Sequence, residues 1–174
     1  ILQSGIDEEV AIKSINSILS LRSTDDVYAT LDLSIIDLQD AKVKFLKIGS
    51  TPSFIKRGDK VLKIEASNLP IGIVRDFEME IVHSQLKAED LLIMMTDGIY
   101  EGPRNVENIE LWLRRKILEL ETEEPQEVAD LIMEEVIRGM GGKIPDDMTI
   151  LVAKVKHNNP KWKSIPVKGL KKWA

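Results

Sequence analysis

Two acidic segments stand out because each lies at the end of a stretch rich in apolar residues. The segment Thr96-Asp97-Gly98 directly follows a run of five apolar residues, and Asp146 and Asp147 directly precede residues 148–155. An ionised carboxylate beside a buried strand is costly unless it is hydrogen-bonded, paired or bound to a metal. Gly98 lets the backbone turn sharply beside Asp97. If the two stretches are antiparallel neighbours in one sheet, both acidic segments fall at the same edge, where they could share a divalent cation.

The composition narrows the chemistry that these carboxylates can do. The chain has no Cys, which excludes disulfide scaffolds, thiolate zinc sites, iron–sulfur clusters and cysteine nucleophiles. It has two His, so a site with three histidine ligands is impossible. A metal site would rest mainly on carboxylate and backbone oxygens, which favour Mg²⁺, Mn²⁺ or Ca²⁺. Taken singly, each acidic segment is better explained by an ordinary turn or a solvated loop. Only the two together make a shared cation site an equally good interpretation, and the alternative stays open.

The elements that must position these segments follow from the apolar spacing. Asp7 suits the N-cap of a first helix, and the unbroken apolar run before Asp97 is typical of a strand buried on both faces. The order of strands, then helices, then a strand predicts an α+β domain with antiparallel sheet. The predicted elements are a helix over residues 6–21, strands over 28–38, 43–48, 54–56, 60–64, 77–82 and 91–95, helices over 105–120 and 125–138, and a strand over 148–155.

Length and charge bound the class of protein. The chain has 174 residues, of which 43% are hydrophobic and 30% charged, and this fits a soluble globular domain. A formal net charge of −5 argues against nucleic-acid binding. No apolar run is long enough to cross a bilayer. Seven Lys and no acidic residue lie within 154–174, so we predict a domain over 1–156 and a Lys-rich tail over 157–174. That tail is either solvated or attracted to anionic lipid.

An ordered series of motifs covers nearly the whole chain. The motifs are SILSLR at 17–22, TLDLSIIDL at 30–38, IGSTPSF at 48–54, NLPIG at 68–72, LLIMMTDGIYEGP at 91–103, DDMT at 146–149 and NPKW at 159–162. In this series the chain resembles the C-terminal phosphatase domain of the stage II sporulation protein E family, which is of the PPM type, the metal-dependent serine/threonine phosphatases. An Asp-Gly pair alone would be a weak signal, whereas the ordered series is a strong one.

The resemblance implies a fold and a metal site. The fold is an α-β-β-α sandwich of antiparallel sheets flanked by helices. Two ions, Mn²⁺ or Mg²⁺, are bound by aspartates at one edge, and a water that bridges them attacks phosphoserine. By their match to the family's motifs, Asp97 and Asp146 are implied as catalytic metal ligands. Gly98 is implied in the close approach of the backbone to the metal, and Asp147 is a neighbouring candidate.

One departure from the family pattern concerns a further ligand. The family takes another bridging aspartate from an early Asp-Gly motif, and this chain has no such motif before Tyr28. We therefore expect the first strands and this ligand to lie before Ile1, and the chain by itself to hold an incomplete site. The missing strands would also leave a sheet edge or an apolar face exposed.

The resemblance also implies a cellular role. The expected partner is a phosphorylated anti-sigma-factor antagonist, whose dephosphorylation activates a sporulation sigma factor in a bacterium. The parent protein is expected at the cytoplasmic side of the cell membrane, with membrane contact only through a missing N-terminal region and this chain soluble. Homodimerisation is left open. The alternative is a non-catalytic, phosphatase-like binding module, and a calcium-binding domain ranks third because no twelve-residue calcium loop is present.

Overall fold

The structure is a computed structural model, and it describes residues 7–22, 28–74, 79–103, 106–142 and 144–156. Its elements, in chain order, are α1 (Glu8–Arg22), β1 (Leu31–Ile36), β2 (Lys42–Ile48), β3 (Ser53–Arg57), β4 (Lys60–Ile64), β5 (Ile81–Gln85), β6 (Leu91–Met95), α2 (Asp97–Tyr100), α3 (Ile109–Glu119), α4 (Pro125–Gly139) and β7 (Ile150–Lys154). Among these described residues, no helix is long and apolar enough to span a membrane.

The seven described strands form two sheets. The smaller sheet has the order β1-β2-β5 and the larger has the order β4-β3-β6-β7. Every neighbouring pair is antiparallel. β1 with β2 and β3 with β4 form hairpins of strands adjacent in the chain. In contrast, β6 and β7 pair across the 54 intervening residues 96–149, which hold α2, α3 and α4.

Three buried clusters stack the elements in four layers. Phe45 of β2 and Leu92 of β6 share the cluster between the two sheets. On the outer face of the larger sheet, Ile93 is buried with side chains of α3 and α4. On the outer face of the smaller sheet, Ile12 of α1 is buried with Leu46. The helix–sheet–sheet–helix order confirms the predicted α-β-β-α sandwich.

Local signals fixed the first helix as predicted. The Asp7 carboxylate accepts a hydrogen bond from the backbone N–H of Glu9 at 2.9 Å, ahead of the first turn of α1. A carboxylate in this place satisfies a free N–H group and opposes the positive end of the helix dipole. The N-cap prediction is therefore confirmed, and the helix ends within one residue of its predicted end.

Several predicted bounds were wrong, including those of the strands over 28–38 and 148–155, which span only Leu31–Ile36 and Ile150–Lys154. The strand predicted over 77–82 is β5, Ile81–Gln85. The helix predicted from 105 begins at Ile109, because the Asn108 side chain accepts a hydrogen bond from the N–H of Leu111 at 2.9 Å and so caps the helix there. The turn expected at Asp97 is the one-turn helix α2. Residues 1–6, 77, 78 and 105 and the Lys-rich tail, on which other predictions fall, lie outside the described residues.

Candidate metal-binding edge

The pairing of β6 with β7 brings the two acidic segments to one edge of the larger sheet. The strands are antiparallel and in register, with Met95 opposite Ile150. Asp97 lies two residues beyond the end of β6, and Asp147 lies three residues before the start of β7. The condition on which the sequence argument depended, that these two stretches are neighbours, is met.

Hydrogen bonds between the two segments continue past the strand ends. The N–H of Thr96 donates to the carbonyl of Thr149 at 3.0 Å. The N–H of Thr149 donates in turn to the hydroxyl of Thr96 at 2.9 Å. This reciprocal pair ties the residue before Asp97 to the loop that carries Asp146, so backbone groups and the Thr96 hydroxyl hold the edge without its carboxylates.

Gly98 allows the two segments to approach closely. A Cβ atom at this position would lie 2.3 Å from the carbonyl oxygen of Asp147 and 3.0 Å from its carbonyl carbon. These are backbone atoms that cannot rotate away, so any side chain at this position would force the segments apart. The glycine of the sequence motif is therefore required here by contact.

The candidate carboxylates remain accessible to a ligand. Asp97, Asp146 and Asp147 are all exposed. Asp97 accepts from the N–H of Gly98 at 2.9 Å, and Asp146 accepts from the N–H of Asp147 at 2.8 Å. Each of these bonds uses only one oxygen of a carboxylate, which leaves further lone pairs free for a hard cation.

The donor set suits Mn²⁺ or Mg²⁺ but is incomplete. Carboxylate and backbone oxygens are ligands that these cations accept. Within the part of the chain that the structure describes, however, no three His, Cys, Asp or Glu side chains lie close enough to hold a metal together. The described residues therefore do not complete a cation site by themselves, and Asp97 and Asp146 stay candidate ligands.

A buried polar network beneath this edge was missed by the sequence analysis. Lys47 of β2 is wholly buried, and its Nζ donates to Asp32 Oδ2 at 2.6 Å and to Ser53 Oγ at 2.9 Å. Ser53 Oγ lies 3.0 Å from the same Asp32 oxygen. Burial lowers the pKa of Lys47, and the hydrogen bond and charge of Asp32 oppose that effect. The network links β1, β2 and β3, and so joins the two sheets.

Only the pairing register could have revealed this network. Asp32 lies directly opposite Lys47 in the β1–β2 ladder. In the sequence, Lys47 stands between Leu46 and Ile48 like a surface residue of an alternating strand. Loop length decides this register, since hairpin geometry fixes it. The four-residue loop 38–41, closed by the hydrogen bond from the N–H of Asp37 to the carbonyl of Lys42, pairs Lys47 with Asp32, whereas a three-residue turn at 39–41 would have placed Leu33 opposite Lys47.

Comparison with known proteins gives a consistent result. Residues 1–156 match the model of a family described as stage II sporulation protein E (SpoIIE). The stage II sporulation protein E of Priestia megaterium is 69% identical over 166 residues, which cover 95% of this chain and 28% of the relative. The chain thus spans little more than a quarter of that curated relative.

Solved structures match over most of the chain. A structure of the PP2C phosphatase domain with a fragment of the regulatory domain of SpoIIE from Bacillus subtilis is 68% identical, with a TM-score of 0.84, covering 90% of this chain and 47% of that one. A structure of the SpoIIE phosphatase domain from Mn-presoaked crystals is 64% identical, with a TM-score of 0.72, covering 92% and 72%. These homologues are phosphatases, and the fold is that of a PP2C-type domain.

Proposed function

Because the chain belongs to the stage II sporulation protein E family, we propose that it forms part of the catalytic domain of a metal-dependent protein serine phosphatase. The observation that carries the proposal is the β6–β7 register, which brings Asp97 and Gly98 beside Asp146 and Asp147. The Mn-presoaked crystals of the B. subtilis domain support the choice of a divalent cation, with Mn²⁺ or Mg²⁺ as the proposed ion.

The residues of this chain have separate parts in the proposed reaction. Asp97 and Asp146 would hold the cations through carboxylate oxygens, with Asp147 as a neighbouring donor. Gly98 keeps the two segments in contact. When bound, divalent ions would supply a water of lowered pKa as the nucleophile and neutralise charge on the phosphate oxygens. This chemistry needs no covalent enzyme intermediate, which suits a chain without Cys.

The proposed substrate is a phosphoserine protein, the phosphorylated antagonist of an anti-sigma factor. Its dephosphorylation would activate a sporulation sigma factor, and the reaction would take place at the cytoplasmic side of the cell membrane. Family membership supports this assignment. The exposure of Asp97 and Asp146 also suits a substrate as large as a folded protein, because the proposed site lies on the surface of the sandwich rather than in a deep cavity.

The test uses this chain together with whatever residues precede Ile1 in its gene. We expect Asp97→Asn and Asp146→Asn each to weaken Mn²⁺ binding in calorimetry by at least about 10-fold, since each removes a charged ligand. Phosphate release from the phosphoserine protein should fall to background in both. Asp59→Asn is the control, because Asp59 is an exposed acid in the β3–β4 turn at the opposite end of the sheet. Unchanged turnover in both edge variants would overturn the proposal.

A second candidate is a phosphatase-like binding module without catalysis. It is favoured by the absence of a third close carboxylate among the described residues. In that case the intact protein would bind the phosphorylated partner and release no phosphate at any Mn²⁺ concentration. An Asp-Gly motif within a few dozen residues upstream of Ile1 in the gene would favour the enzyme instead.

A further inference from the structure

We propose that Thr51 is a positioning residue for the metal-binding edge, and that the buried Asp32–Lys47–Ser53 network holds Thr51 in place. Thr51 lies in the loop between β2 and β3, which joins the two sheets. The inference rests on the proposed function, because it concerns how Asp97 is placed for a cation. It adds to that function a set of residues that touch neither the cation nor the substrate.

Thr51 hydrogen-bonds to β6 just beyond the point where the β3–β6 ladder ends. That ladder pairs Phe54 with Ile93 as its last rung toward the metal edge. Beyond it, the hydroxyl of Thr51 donates to the carbonyl of Met95 at 2.7 Å. Met95 is the last residue of β6 and lies two residues before Asp97. On its other side, β6 is held by β7, so Thr51 provides the second lateral support for the strand end that carries Asp97.

The buried network holds the loop that carries Thr51. Lys47 is the second-last residue of β2 and Ser53 is the first residue of β3, and the two are hydrogen-bonded to each other at 2.9 Å across the base of the loop. The loop is therefore closed at its base by a contact that solvent does not reach, since Lys47 and Ser53 are both fully buried. Gly49, at the start of the loop, is further anchored by its N–H to the carbonyl of Asn68 at 2.9 Å.

The hydrogen bonds of Thr51 and Thr149 lie where they can fix the position of Asp97, and not only where they add to the stability of the fold. Metal ligands must be held within roughly 0.5 Å of their productive geometry by residues around them. Asp97 is exposed and its carboxylate is tied only to the adjacent N–H of Gly98, within the described residues. The position of its backbone therefore depends on the strand end, which Thr149 holds from one side and Thr51 from the other.

A first experiment measures positioning without any metal. In the protein that carries this chain, amide hydrogen exchange of residues 96–98 is compared between the wild type, Thr51→Val and Thr51→Ser. Val removes the hydroxyl at nearly constant volume, and Ser keeps it. We expect several-fold faster exchange in Thr51→Val and wild-type exchange in Thr51→Ser. Equal exchange in all three proteins would overturn the inference.

A second experiment measures Mn²⁺ affinity by calorimetry in the same proteins, extended by whatever precedes Ile1 in the gene. We expect roughly 10-fold weaker binding in Thr51→Val, as is usual when a group that orients a ligand is removed, and recovery in Thr51→Ser. Thr122→Val is the control, because the Thr122 hydroxyl hydrogen-bonds at the start of α4, far from this edge. A purely structural role would lower the thermal midpoint of both Val variants and leave their affinities for Mn²⁺ alike.

The outcomes separate this inference from the function on which it rests. A wild-type protein that binds no Mn²⁺ overturns the proposed function, and with it the cation part of the inference. Wild-type binding that Thr51→Val leaves unchanged overturns the inference alone. Loss of affinity that Thr51→Ser does not recover also overturns it, because the hydroxyl would then not be the group responsible.

Discussion

Lys47 is the residue whose environment is least expected for its type. Its side chain is wholly buried between the sheets, where a charge is costly unless it is paired. Asp32 supplies the pairing charge and Ser53 a further hydrogen bond. The second oxygen of Asp32 is buried without a hydrogen-bond partner among the described residues. For this pair, the free-energy cost of removing two charges from water is therefore close to the gain from their attraction.

This balance predicts an unequal response to single and double substitution. Lys47→Met should lower the free energy of unfolding by about 3 kcal/mol, because it leaves the largely buried Asp32 charge without its partner. The double variant Lys47→Met with Asp32→Leu should recover most of that loss, since both charges are gone and apolar packing replaces them. Urea denaturation of the three proteins measures the effect. A double variant less stable than Lys47→Met would show that the pair itself is strongly stabilising.

At the scale of elements, α3 is held to the sheet by an ion-pair network as well as by its apolar face. Glu110, in the first turn of α3, lies 2.7 Å from Lys63 of β4 and 3.5 Å from Arg114. The hydrogen bond from Lys63 lowers the pKa of Glu110. Glu110, and then Glu65, raise the pKa of Lys63 to about 12. The network therefore favours the charged form of both partners in the folded state.

The lowered pKa of Glu110 sets the sign of a pH effect. A carboxylate whose folded pKa lies below its unfolded value of 4.5 stabilises the fold above that pH, and the contribution is lost as the pH falls through the lowered pKa. We expect Glu110→Gln to cost about 0.5 kcal/mol at pH 7, a small value because the pair is partly solvated. The difference from wild type should vanish below the lowered pKa.

Urea titrations of both proteins at pH 7 and in the acid range check this prediction. Glu107→Gln is the matched control, because Glu107 is exposed just before α3 and makes no ion pair with a described residue. A difference between wild type and Glu110→Gln that stays constant with pH would mean that the carboxylate charge is not what holds the helix.

Sequence reasoning succeeded where local signals decide the structure. The cap at Asp7 and the unbroken apolar run of β6 each depend on neighbouring residues, and both predictions hold. Reasoning failed where a contact distant in sequence decides. Asp97 begins a helix rather than a turn at a place where Gly98 packs against Asp147, some fifty residues away. The burial of Lys47 depends likewise on Asp32, its partner in the neighbouring strand.

For the molecule as a whole, one face of the edge strand β7 is more exposed to solvent than the other. Among the described residues, the larger sheet has four strands and the smaller has three. Among the described strands, β7 is an edge strand of the larger sheet. Ile150 and Val152 pack with the helix-side core, while Leu151 between them points to the other face and is 54% exposed. Leu151 therefore adds an exposed apolar side chain to this strand.

An uncovered edge strand that also presents an apolar side chain is a template for pairing with another chain, because its free N–H and C=O groups add to the apolar attraction. We expect Leu151→Lys to slow self-association of the 174-residue chain several-fold, as followed by light scattering at rising concentration. Leu111→Lys is the control. Leu111 is more exposed than Leu151, at 65%, but it lies on α3, where the backbone groups are already hydrogen-bonded within the helix. If the two substitutions slowed association equally, exposed apolar area and not the edge of β7 would be the cause.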